Sequence, residues 1–112
     1  MISNFALVKR IKKKEMKLTE ILKETDKPVL LQFFAEWCGP CKMLTRIIDE
    51  SVGEVTEHAY LQRIDVDQHQ EISAQFHIRA IPTMVLVNQA GEVLWKHTGV
   101  MEVRDIVKEI TK

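Results

Sequence analysis

The chain has no net charge: 16 basic side chains balance 16 acidic ones. That balance excludes the broad positive field by which nucleic-acid-binding domains hold phosphate backbones. No apolar run approaches the ~18 residues that cross a bilayer as a helix, so no membrane association is expected. Only two cysteines occur among 112 residues. A chain of this length, with 46% apolar residues, buries enough surface to fold unaided, so the pair is not needed as a structural staple. There is no Gly-rich phosphate loop and no His-Glu-x-x-His, and the serines and histidines show no triad-like arrangement. Internal repeats, low-complexity tracts and interior linkers are also missing, so residues 1–112 are expected to form one domain. At the start, Met1 to Val8 lacks a basic lead-in, and Lys9, Arg10, Lys12, Lys13 and Lys14 follow the short apolar patch. This is the reverse of a secretory signal, which makes the cytoplasm the expected location.

What the chain does hold is Trp37-Cys38-Gly39-Pro40-Cys41, with both cysteines two residues apart. An apolar run, Val29 to Phe34, precedes it, and a helix-like stretch from Lys42 to about His58 follows. Two thiols on one turn can close into a small disulfide ring and open again, which points to dithiol–disulfide exchange.

The hydrophobic pattern places these residues. Leu18, Ile21, Leu22 and Thr25 share a helical face, so residues 15–24 are expected to be helix. Asp26-Lys27-Pro28 breaks it. Val29–Phe34 is apolar on both faces, as in the centre of a covered sheet. Leu44, Ile48, Val52 and Val55 define an amphipathic helix. A second strand is expected at 59–65 and a short helix at 68–76. Pro82 cannot donate to a ladder, so a strand begins after it, at 83–87. Gln89-Ala90-Gly91-Glu92 turns the chain into a hairpin strand at 93–97, and a final helix covers 102–111. Residues 1–14 fit a helix loosely, or an edge strand guarded by Lys and Arg. The expected class is α/β, a mixed sheet with helices on both faces.

In that frame Cys38 falls at a strand-to-helix junction, where unpaired N–H groups and the helix dipole favour a thiolate. Cys41 lies one turn inward, on the same face and beneath it, placed to attack a mixed disulfide formed at Cys38. Gly39 keeps the turn open. Pro40 suits the first helical turn. Lys42 adds a positive charge, and Trp37 can cover one side of the sulfurs. The competing reading of Cys-x-x-Cys is half of a zinc site, which needs two more ligands. The candidates are His58, His69, His77 and His97, whose shortest gap is eight residues, so no metal is expected.

The segment from Phe33 to Met43 resembles the active-site segment of the thioredoxin family. Further similar stretches hold their spacing: Ile64 to Gln68, Ile78 to Thr83, Gly91 to Val93 and Thr98 to Val100. The resemblance covers residues 15–112 and implies the thioredoxin fold and reduction of protein disulfides by a monomer. It implies no bound cofactor beyond the redox-active disulfide, with electrons drawn from NADPH through a thioredoxin reductase. By position, Cys38 resembles the attacking cysteine and Cys41 the resolving one. Pro82 resembles the family's cis-proline, which would leave the preceding backbone free to pair with an extended substrate. Trp37, Gly39, Pro40, Ile81, Pro82, Gly99 and Val100 would then form an apolar docking surface, although core packing serves equally for Ile81 and Val100. The Gly-Pro insert resembles that of reducing members; oxidising relatives usually carry a histidine there.

Five departures stand out. Gln32 occupies the place of a buried aspartate, and an amide cannot serve as general base near neutral pH. Arg63, where many members have a lysine near that carboxylate, is expected to turn to solvent. Phe34 replaces a frequent Trp. Arg46 stands where members have a mid-helix proline, so a straighter helix is expected. The basic run before residue 15 has no counterpart. Gln32 and the unusual N-terminus support, as an alternative, a specialised or exported oxidoreductase with restricted partners; a further alternative, from what other proteins of such a fold do, is a binding subunit in which the cysteines are dispensable.

Overall fold

A computed structural model describes residues 15–112. The edge strand or helix considered for residues 1–14 lies outside the described residues. The elements, in chain order, are α1 (Leu18–Leu22), β1 (Val29–Phe34), α2 (Gly39–Glu50), α3 (Val52–Thr56), β2 (Tyr60–Asp65), α4 (Gln70–Gln75), β3 (Thr83–Val87), β4 (Val93–Thr98) and α5 (Val103–Ile110). The sheet order is β2-β1-β3-β4. β1 and β2 run parallel; β3 is antiparallel to both β1 and β4.

The expected α/β architecture with helices on both faces is present. β1 is central, and Val29 to Phe33 are all fully buried. Alternation along the strand divides them. Val29, Leu31 and Phe33 face a core with Leu18 and Ile21 of α1 and Ile72 of α4. Leu30 faces the opposite core, built with Leu44 and Ile48 of α2, Val55 of α3 and Ile106 and Ile110 of α5. Burying each such Leu or Ile contributes about 1.5–3 kcal/mol, which fixes the two layers.

Two helical stretches differ most from expectation. The first helix is shorter, Leu18–Leu22. The stretch expected as one helix to His58 is two: α2 ends at Ser51, whose φ of −139° and ψ of 37° leave the helical region. Ser51, Val52 and Gly53 are three successive poor helix formers. The break turns Val52, expected on the buried stripe, outward to 40% exposure. α2 is continuous through Arg46.

Candidate active site

β1 ends at Phe34 and delivers a short loop to α2. Cys38 is the N-cap residue of α2, with extended backbone, and its Sγ accepts the Cys41 N–H at 3.1 Å. A side-chain acceptor satisfies one of the orphan donors of the first turn. Pro40, inside that turn, lacks an N–H that would have had no partner there. Cys38 and Cys41 are joined by a disulfide, with Cα atoms 5.2 Å apart. Both sulfurs sit in a small apolar cluster with Ala35, against Phe34, Val66 and Ile81. Cys41 is the deeper of the two.

The rim is apolar and open. Gly39 and Pro40 are exposed. Trp37 is 71% exposed, so it stands beside the disulfide as a rim and not as a lid. Its indole N–H donates to the Asp67 carboxylate at 2.8 Å. Asp65 Oδ1 in turn accepts the Asp67 backbone N–H at 2.9 Å, an Asx turn at the end of β2. On the other side the Ile81–Pro82 peptide bond is cis. Pro82 is buried, Ile81 is half-buried and packs on the disulfide cluster, and Val100 is exposed. Gly99 has φ +110° and donates its N–H to the Pro82 carbonyl at 2.8 Å, which ties the end of β4 to the start of β3. Ile81 thus meets the disulfide cluster directly, Trp37, Gly39 and Pro40 flank it along the chain at the start of α2, and Gly99 is held to Pro82, with Val100 next in sequence.

A cleft of ≈ 210 Å³ opens beside the disulfide, lined by Phe34, Ala35, Glu36, Cys41, Lys42 and Thr45. Beneath it lies Gln32, fully buried. Its Nε2 donates to Thr45 Oγ1 at 3.0 Å, and its Oε1 accepts from Arg63 Nε at 2.9 Å. Arg63 Nη2 also meets Asp49 Oδ1 at 2.7 Å. The expectation that Arg63 turns to solvent is thus corrected: the guanidinium reaches back to the amide, because a buried acceptor needs a donor as much as a carboxylate would. Thr45 and Asp49 escaped the sequence reading. The available signal was spacing, since Thr45 follows Cys41 by four residues and Asp49 follows Thr45 by four, one helical turn each.

Among the described residues no group of three or more His, Cys, Asp or Glu side chains converges as a metal site. No helix among them is long and apolar enough to cross a membrane.

Comparison with known proteins agrees with this geometry. The family model described as Thioredoxin matches residues 8–112. A thioredoxin-like protein of Synechocystis sp. is 31% identical over 100 residues, spanning 89% of this chain and 94% of its own. A thioredoxin of Chlorobaculum thiosulfatiphilum is 38% identical over 92 residues, spanning 82% and 83%. The X-ray structure of Fasciola hepatica thioredoxin superposes with a TM-score of 0.72 at 28% identity, covering 84% of this chain and 88% of that one.

Proposed function

Because the chain belongs to the thioredoxin family and is a protein thiol–disulfide oxidoreductase, we propose that it works as a reductant, with Cys38 attacking and Cys41 resolving. The observation that carries this reading is the unequal placement of the two sulfurs. Cys38 caps α2, where the helix N-terminus favours an anion. Cys41 lies deeper, within bonding reach of it.

In the reduced protein the Cys38 thiolate attacks one sulfur of a partner's disulfide. A Cys38–partner bond forms, the partner's S–S bond breaks, and its second sulfur leaves as a thiolate that takes up a proton. Cys41 then loses its proton and attacks Cys38 Sγ. The Cys38–Cys41 bond forms and the partner's remaining sulfur leaves and is protonated. Two electrons and two protons have passed to the partner. Exchange with a thioredoxin reductase drawing on NADPH restores the dithiol, and the chain needs no cofactor of its own.

The docking surface is Trp37, Gly39, Pro40, Ile81, Pro82, Gly99 and Val100. β3 begins only at Thr83, so the Ile81 backbone lies outside the ladder and is placed to pair with an extended substrate segment. Pro82, being buried, serves as floor, while Trp37 and Val100 supply contact area. Lys42 and Gln32 support the site from the cleft side and from below. A reductant of this kind acts as a monomer in a reducing compartment, here the cytoplasm.

The test is insulin reduction together with the reduction potential of the Cys38–Cys41 pair against glutathione. The expected result is turnover, with a potential at or below the cytosolic glutathione poise of about −220 to −260 mV. A potential well above that poise makes the protein an oxidant. Retention of its cellular role by the Cys38→Ser protein would make it a binding subunit.

A further inference from the structure

We propose that Arg63, Gln32 and Thr45 form a one-way chain of hydrogen-bond donors that ends in the cleft beside Cys41 and stabilises its thiolate. The proposal rests on the reading of Cys41 as the resolving sulfur. It adds three positioning residues to that step.

The direction of the chain follows from chemistry. A guanidinium has donors only. Gln32 must therefore turn its Oε1 to Arg63 Nε, 2.9 Å away. Its Nε2 then faces Thr45, and the Thr45 hydroxyl oxygen is obliged to accept, at 3.0 Å. A hydroxyl carries one proton, and this contact does not use it. In a helix that proton often goes to the carbonyl four residues back. Among the described residues Thr45 makes no such bond. Both Thr45 and Cys41 line the ≈ 210 Å³ cleft, which has room for bridging water at ~30 Å³ per molecule. Through such a water the Thr45 hydroxyl donates to the Cys41 sulfur once the disulfide opens. Donors aligned in series polarise one another, and a cation stands at the head of the series.

The other groups around Cys41 do not duplicate this role. Glu36 and Lys42 line the cleft but are exposed. Cys38 stands above, and Asp49 lies on the far side of Arg63. The remaining neighbours, Phe34, Ala35, Val66 and Ile81, are apolar. The chain accepts no proton; the one lost by Cys41 passes to solvent. It lowers the cost of the thiolate that remains, and that charge disappears when Cys41 bonds to Cys38.

The experiment follows the Cβ resonances of Cys38 and Cys41 by NMR through a pH titration of the fully reduced, full-length protein. Thr45→Val removes the hydroxyl and keeps the shape. It is expected to cut the Cys41 thiolate fraction at a given pH roughly tenfold, the order of one hydrogen bond to a charged group. Thr45→Ser should stay within about twofold of the parent by the same measure. Gln32→Leu should shift Cys41 in the same direction as Thr45→Val. An unmoved Cys41 midpoint in Thr45→Val overturns the proposal. So does a Thr45→Ser midpoint that follows Thr45→Val, which would make the effect one of packing. If Thr45→Val does not fold, Thr45→Ala carries the same comparison. Insulin reduction by the parent protein is scored separately, so loss of the reductant reading leaves the titration result standing on its own.

Discussion

Arg63 and Gln32 sit opposite each other across the parallel β1–β2 pair, and Arg63 Nε donates to Gln32 Oε1 at 2.9 Å. One contact thus satisfies a fully buried amide and holds a half-exposed guanidinium against the sheet.

That relationship predicts strong coupling. Arg63→Met leaves the Gln32 carbonyl without its donor and should cost about 1–3 kcal/mol in urea unfolding. In Gln32→Leu/Arg63→Met both polar partners are gone, and the loss should be smaller than the sum of the single losses. Additive losses would show that water replaces the guanidinium at no cost.

Gln32→Asp puts a proton acceptor beneath the site. It is expected to accelerate single-turnover reduction of a protein disulfide near neutral pH. Arg63, directly beside it, holds that gain below the ~10²-fold at which general-base effects begin. Stopped-flow fluorescence with the reduced protein checks this; an unchanged rate means that the resolving thiol needs no base.

Gly99→Ala should destabilise the fold by about 1–3 kcal/mol, because φ +110° suits glycine alone. A Cβ there has space, its nearest neighbour being His97 Nε2 at 3.9 Å, so the penalty is conformational and not a clash. Thermal unfolding should show it as a fall of roughly 4–8 °C per kcal/mol.

Trp37→Ala separates docking from sulfur chemistry. The indole is largely exposed and is anchored by the Asp67 carboxylate. Its loss should lower kcat/KM for insulin on the order of tenfold, the scale of an interface residue worth more than ~1 kcal/mol. Reaction with a small aromatic disulfide should change little. Equal losses on both substrates would place Trp37 in the chemistry.

Much of the fold was legible because proline and apolar runs punctuate the chain. Val29–Phe34 and Thr83–Val87 appear with the expected bounds, each just after a proline. The two sulfurs were legible for the same reason, being confined to one turn between a strand and a helix. The helix break at Ser51 was hidden, since Leu44, Ile48, Val52 and Val55 keep their rhythm across it while the backbone does not. The Arg63–Gln32–Thr45 contacts were hidden more deeply. They depend on a long side chain folding back across a strand pair, and strand periodicity reports the face a residue starts from, not where its tip ends.

On the proposed roles, Cys38 Sγ is both the point a partner seizes and the pin for the opening turn of α2. On that reading a partner bonded to Cys38 would load the mooring of that turn, and its release would unload it.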